Sequence, residues 1–138
     1  MKKMYPALVL LLIFLGIMYL DFSTPSIKGT SDDGTWKVVY KKINEVEAGG
    51  AWVVSVTQAD EKEVNVKKLE FLENNKVISD RNEFYEGTDI DATVYTLHPF
   101  SYPDLYYGDA PKEESSYFVV ITWEDAQGKA HEDKIELK

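Results

Sequence analysis

Hydrophobic and polar residues alternate along most of the chain beyond residue 35, as is typical of strands that bury one face. In Trp36–Ile43 and in Trp52–Thr57 the large apolar side chains fall on every second residue, so each segment is predicted to be a strand. Tyr117–Trp123 carries apolar residues on both faces. This pattern predicts a central strand that is covered on each side.

Weaker alternation predicts two further strands, one over residues 90–95 and a final one ending at Leu137. Turn-forming residues separate these runs. Asn74-Asn75 suits a tight turn because Asn tolerates positive φ. The stretch from Asp125 to Gly128 can close a hairpin onto the last strand, with Gly128 in the left-handed conformation.

Residues 60–73 show an apolar pattern that changes phase. Val64 and Val66 fall on even positions, whereas Leu69 and Phe71 fall on odd ones. A strand keeps both pairs inside only if it contains a bulge near the intervening lysines. A helix over about 60–73 is the alternative, because the first residues match a capping box. The strand is the favoured prediction.

About seven short strands in just over 100 residues match an immunoglobulin-like antiparallel β-sandwich in number and spacing. The sequence therefore predicts an all-β domain over residues 36–138. The alternative helix at about 60–73 would make this domain α+β instead.

The start of the chain is patterned differently. Two lysines, Lys2 and Lys3, precede an uncharged run from Met4 to Leu20. A helix of this length is near the short limit for crossing a bilayer, and the basic flank places its N-terminus in the cytoplasm. Residues 1–21 are predicted to be a signal anchor that contacts the membrane through residues 4–20. Cleavage of the segment, which lacks a clear small-x-small site, would instead give a secreted protein.

Residues 22–35 are rich in turn formers and lack hydrophobic periodicity, which predicts a flexible tether. Taken together, the basic start, the apolar run and the strand before the Gly128 turn resemble small bacterial membrane-anchored proteins of unknown function that hold one β-sandwich outside the cell. The resemblance implies a single-pass protein of the cell membrane whose C-terminal domain lies outside the cytoplasm.

The composition excludes several classes of site and function. The chain has no cysteine, which excludes disulfides, thiolate metal sites and a thiol nucleophile. Its net charge of −9 disfavours nucleic-acid binding. No nucleophile elbow, phosphate-binding loop or paired-histidine motif occurs. The sequence predicts a non-enzymatic module that binds a protein or an envelope component through its loops; an enzyme of unidentifiable class is the alternative.

Residues 98–107 form the most unusual stretch, with four aromatic residues and two prolines among ten residues. A long loop with rigid tyrosines suits recognition. The predicted binding residues, in and just after this stretch, are Phe100, Tyr102, Tyr106, Tyr107 and Asp109. The alternative is that the aromatic side chains fold back over the open end of the sandwich.

Acidic residues are concentrated between Asp80 and Glu114. Within this region Asp89 and Asp91 lie two residues apart, and clustered carboxylates suit calcium. A calcium-stabilised surface domain is therefore an alternative prediction, with these two residues as ligands and no other cofactor. The competing interpretation is a set of solvated acidic loops that keep the protein soluble.

Overall fold

The computed structural model describes residues 26–43, 51–90 and 92–138, which form two antiparallel β-sheets with a shared core. The all-β prediction is confirmed. The strands of the described residues are β1 (Ile27–Thr30), β2 (Trp36–Ile43), β3 (Ala51–Gln58), β4 (Val64–Glu73), β5 (Lys76–Arg81), β6 (Gly87–Thr88), β7 (Val94–Leu97), β8 (Phe100–Gly108), β9 (Tyr117–Asp125) and β10 (Ala130–Leu137).

The six-stranded sheet has the order β1-β2-β3-β8-β7-β6, and the four-stranded sheet has the order β10-β9-β4-β5. The core lies between the sheets and takes alternate side chains of the longer strands, including Trp36, Val38 and Tyr40 of β2. Strand β9 lies between β10 and β4, and Val120 on its outward face is also buried. The prediction of a central strand at this position is confirmed.

Residues 60–73 contain no helix, so the α+β alternative is wrong. Strand β4 begins at Val64 and pairs with β9. The register shifts between Val66 and Lys68, where the predicted bulge was needed. The extra residue lets Val66 and Leu69 both face the core, although they differ in sequence parity.

Both predicted tight turns are present. Asn74 and Asn75 have φ values of 51° and 65°, and they join β4 to β5 as the type I′ pattern requires. In the β9–β10 hairpin, the Gly128 amide donates to the Asp125 carbonyl at 2.9 Å. Gly128 has a φ of 77°, which an L side chain adopts only with strain.

The predicted tether is wrong for residues 27–30, which form β1 and pair with β2. Lys28 also exchanges backbone hydrogen bonds of 3.2 and 3.0 Å with Lys138, so β1 joins the two sheets along one edge. A Cβ on Gly29 would lie 2.3 Å from the Glu136 carbonyl oxygen. Glycine thus permits the close approach that makes this short, turn-rich segment part of the domain.

Two other predictions about local structure are wrong. The stretch expected to be a recognition loop is strand β8 from Phe100 onward, which is hydrogen-bonded to β3. The strand predicted over 90–95 begins at Val94. Before it, a turn holds the Ala92 amide to the Asp89 carbonyl at 2.9 Å and leaves Ile90 fully exposed.

The predicted anchor, residues 1–21, and residues 22–25 of the tether lie outside the described residues. Within the described ranges, no helix is long and apolar enough to cross a membrane.

The end of the sandwich with Lys28, Tyr117 and Lys138 is named the proximal end, because β1 begins there. The opposite end, with Trp36 and Asp125, is named the distal end.

Candidate ligand-binding cleft

Connections between strands surround a cleft of about 630 Å³ at the distal end. The buried and half-buried apolar side chains of its lining are called the floor, and the polar side chains around them are called the rim. Apolar side chains of the lining belong to Val64, Val66, Phe84, Leu97 and Phe100. Polar or charged side chains of the lining belong to Glu63, Asn65, Lys67, Asn82, His98, Glu124 and Asp125.

Two smaller clefts, of about 410 and 370 Å³, adjoin the first through shared residues. Glu63 lines all three clefts. His98 lines two of them, and Asp125 also lines two. Glu63 therefore lies at the centre of the distal surface, on the connection that leads into β4.

One wall of this surface contains a histidine–carboxylate pair. The His131 Nε2 and Asp125 Oδ2 atoms are 2.8 Å apart, and the imidazole ring stacks on Trp123 with centroids 4.4 Å apart. The Trp123 Nε1–H donates to Asp133 at 2.8 Å. Asp125 also accepts backbone hydrogen bonds from Gln127 and Lys129, so the hairpin fixes the carboxylate.

The His131 hydrogen bond, with added backbone donation from Lys129, holds the pKa of Asp125 below its ordinary value. Asp125 therefore remains a carboxylate at neutral pH. Its charge faces two clefts, while the stacked His131 ring covers Trp123. The wall therefore carries a fixed negative charge next to the stacked rings of His131 and Trp123.

A polar network supports the opposite side of the distal end. Asp33 accepts hydrogen bonds from the Ser31 hydroxyl at 2.9 Å and the Thr35 amide at 3.0 Å. The bond from the Thr35 amide is the main cause that lowers the pKa of Asp33 to about 2. Lys62 lies 3.7 Å from Asp33 and 3.5 Å from Asp60. These contacts join the turn before β2 to the connection before β4.

The charges on the cleft rim do not balance. Lys67 lies 3.9 Å from Glu124, and Lys62 is engaged by Asp33 and Asp60. Glu63 forms no ion pair within the described part of the chain. The rim is therefore net negative, which favours a ligand that carries amino or other hydrogen-bond donor groups.

The five predicted binding residues do not form one exposed surface. Phe100 and Tyr102 are buried, with 2% and 9% of their surface exposed, and Tyr106 packs against the core. Tyr107 is 54% exposed, and Asp109 is exposed. The prediction of a loop is wrong for residues 100–108, which form β8 and alternate their side chains between its two faces. Phe100 still contributes to the cleft, as part of its floor.

Of the two predicted calcium ligands, the structure describes only Asp89. Asp89 closes a turn in which its carboxylate accepts the Ile90 amide at 2.8 Å. Asp91 lies outside the described residues. Over the described ranges, no three Asp, Glu or His side chains are placed to hold a metal ion.

Glu63, Asp125 and His131 were not predicted as site residues, and His98 carried no motif. Asp125 and His131 lie at the end of β9 and near the start of β10, within one hairpin. Glu63 and His98 lie in connections that are distant in sequence and reach this surface only when both sheets are assembled. The available signal was positional: each residue lies at or near the end of a predicted strand. No protein-family model, curated protein or solved structure matches the chain.

Proposed function

We propose that the chain is a membrane-anchored extracytoplasmic binding protein whose immunoglobulin-like β-sandwich captures a protein or an envelope component in the distal cleft. The observation that carries the proposal is the position of this cleft. It lies at the end of the sandwich opposite to Lys28 and Lys138, so an attachment through the N-terminus leaves it free.

The sequence before the domain supports attachment to a membrane. The apolar run from Met4 to Leu20 follows two lysines and meets the minimum length for a transmembrane helix. Only six residues separate Leu20 from Ile27, the first residue of β1. A retained anchor would therefore hold the domain close to the outer surface of the membrane.

The chemistry of the distal surface supports binding. The cleft combines an apolar floor with a net negative rim, as ligand sites commonly do. Its ligand would place amino groups near Glu63 and Asp125, and apolar atoms over Phe84 and Leu97. In the described structure the His131 Nε2 atom is bonded to Asp125, and the ring packs over Trp123.

Photo-crosslinking in intact cells tests the proposed cleft. A photoreactive residue at position 98, on the exposed rim, should give a discrete crosslinked product, and Glu63→Gln should remove it. Position 76, exposed at the start of β5, is the matched control and should give none. Equal products from both positions would contradict the proposed binding site.

The anchor needs its own measurement. Alkaline extraction should leave the protein in the membrane fraction, and sequencing of the mature protein should begin within the first few residues. A mature N-terminus between residues 21 and 29 would show cleavage and a secreted protein.

A further inference from the structure

The outer face of the six-stranded sheet carries three exposed lysines. Lys28 lies on β1, and Lys37 and Lys41 lie on β2. Lys28 pairs with Val39 in the β1–β2 register, while the other two lysines lie two residues to either side of Val39. At about 3.3 Å per residue, each is roughly 7 Å from Val39 along the strand. Three lysine positions therefore surround one apolar residue.

The register extends this surface across the sheet. Lys41 pairs with Val53, and Val53 pairs with Tyr107, which is 54% exposed. Side chains on this face are those that alternate with the core residues. On β1, β2 and β3 they include no carboxylate among the described positions: Lys28, Thr30, Lys37, Val39, Lys41, Ile43, Ala51, Val53, Ser55 and Thr57.

Among the described residues, no acid is paired with these lysines. None of the three takes part in an ion pair within the described structure, whereas the chain as a whole has a net charge of −9. Lysines elsewhere do have acidic partners, for example Lys67 with Glu124 and Lys68 with Glu70. The outer face over β1, β2 and β3 is thus a cationic surface on an acidic protein.

We propose that the lysine face, defined as Lys28, Lys37, Lys41 and Tyr107, docks on the anionic surface of the membrane that holds the protein. The sandwich then lies on its side, and the distal cleft opens along the membrane surface. This proposal rests on the proposed function, because it requires the retained anchor.

Chain length places the lysine face within reach of the bilayer. Lys28 is eight residues beyond Leu20, a distance of at most about 28 Å for a fully extended chain. The anchor therefore keeps the face at a high effective concentration over the lipid surface. A soluble polyanion gains no such increase in effective concentration, so the short connection favours the membrane as the partner.

The side chains also suit a lipid interface. Lysine ammonium groups can bind lipid phosphates while their methylene chains contact apolar surface. Tyr107 has an apolar ring and a polar hydroxyl, the combination enriched at membrane–water interfaces. Each lysine near an anionic surface strengthens binding by roughly fivefold, and salt screens the effect.

Lysine labelling of the full chain in vesicles tests this proposal. The protein is reconstituted into neutral phosphatidylcholine vesicles and into vesicles with about one third phosphatidylglycerol, then treated with an amine-reactive reagent. Labelling of Lys28 and Lys41 should slow at least fivefold in the anionic vesicles, and 0.5 M salt should reverse the protection. Lys67 and Lys68, on the other sheet, should change less than twofold. Equal labelling of both sheets would overturn the proposal.

Charge reversal gives a second readout on the same vesicles. Lys28→Glu with Lys41→Glu should abolish the slower labelling that remains at Lys37, whereas the matched pair Lys67→Glu with Lys68→Glu should retain it. Unchanged protection of Lys37 in the first variant would also overturn the proposal.

Flotation with neutral vesicles separates the two proposals. Failure to float shows that the anchor does not insert, which contradicts the proposed function. Flotation without selective lysine protection contradicts only the docking of the lysine face.

Discussion

At the proximal end of the sandwich aromatic rings fill the space between the sheets, whereas at the distal end polar side chains surround open clefts. Tyr40 lies at the centre of the proximal cluster, with its ring 5.4–5.9 Å from those of Phe71, Tyr106 and Tyr117. The tyrosine hydroxyls also hold the connection after β8. Tyr40 donates to the Asp109 carbonyl, and the Tyr117 hydroxyl accepts the Lys112 amide at 2.8 Å.

The distal end uses aromatic residues differently. Trp36 and Trp123 are buried with centroids 5.8 Å apart, but the surface above them is polar. His131 covers Trp123, and carboxylates of Asp33 and Asp125 hold the neighbouring turns. The clefts around Glu63 remain open.

From this difference we infer that the proximal end contributes mainly to stability and the distal end mainly to the proposed binding. Fully packed rings at the proximal end contribute burial and edge-to-face contacts. Charged groups held at the distal end contribute less to folding but would present fixed charges to the proposed ligand. We therefore expect substitutions at the proximal end to reduce stability most, and substitutions on the distal rim to change binding with a smaller effect on stability.

The largest effect is expected for Tyr40→Ala in the isolated domain, residues 26–138. Tyr40 is 2% exposed, and removing a ring of this size leaves a cavity among its aromatic neighbours. The variant should lose about 3–5 kcal/mol of unfolding free energy in a urea titration. Tyr40→Phe keeps the ring and loses the bond to Asp109, so it should lose only about 1 kcal/mol. A loss below 1 kcal/mol for Tyr40→Ala would show that the proximal cluster is not a main source of stability.

The proximal cluster also shows where sequence reasoning succeeds. Alternation in β2 and the apolar run on both faces of β9 identified both strands, because a buried sheet face requires apolar residues at every second position. The change of phase between Val66 and Leu69 even located the bulge. These features are local, so they can be predicted without knowing which strands pair.

Strands β1 and β8 were missed for physical reasons. Prolines at 99 and 103 made β8 look like a loop, but Ser55 opposite donates its hydroxyl to the Pro103 carbonyl at 2.7 Å, where the β3–β8 register shifts. Strand β1 depends on the approach of Gly29 to β10. That contact is long-range and leaves no periodic pattern in the sequence.

The next effect concerns the turn held by Asp33. Its pKa is about 2 in the folded protein and 3.8 ordinarily, so the unfolded chain takes up the proton first as the pH falls. The stabilisation is complete above about pH 4 and is lost as the pH approaches 2. Asp33→Ala should cost about 1 kcal/mol at pH 7, since the side chain is half-exposed.

Urea midpoints measured between pH 7 and pH 2 check this expectation. The curves of the wild-type domain and Asp33→Ala should converge near pH 2. Curves that remain parallel over the whole range would show that the carboxylate does not stabilise the turn through its charge.

A smaller effect is expected for His131→Ala. The ring stacks on Trp123 and bonds to Asp125, and such a contact contributes about 0.5–1 kcal/mol. Its removal should also increase the quenching of tryptophan emission by acrylamide, because Trp123 loses its cover. His98→Ala, at an exposed position, is the control and should change neither value. Equal quenching in both variants would mean that His131 does not cover Trp123.

The candidate site was less predictable than the fold. His98 and Glu63 lie in different connections, and His131 lies near the start of β10. Their proximity depends on how the two sheets stack, and no spacing in the sequence encodes it. An exposed acidic residue at a strand end has the same local pattern whether it lines a cleft or faces only solvent.

The smallest effect on stability is expected for Tyr107→Ala, and comparison with Tyr102→Ala tests the alternation of β8. Tyr102 is 9% exposed and its ring lies 5.3 Å from that of Tyr95, so its loss should cost about 3 kcal/mol or more. Tyr107 points outward beside Val53, which is 6% exposed. Its removal uncovers only part of Val53 and should cost less than about 0.5 kcal/mol. Thermal melts of the two variants measure this contrast directly. A comparable loss in both would mean that Tyr107 is packed like the proximal tyrosines, and the lysine face would then lack its exposed aromatic residue.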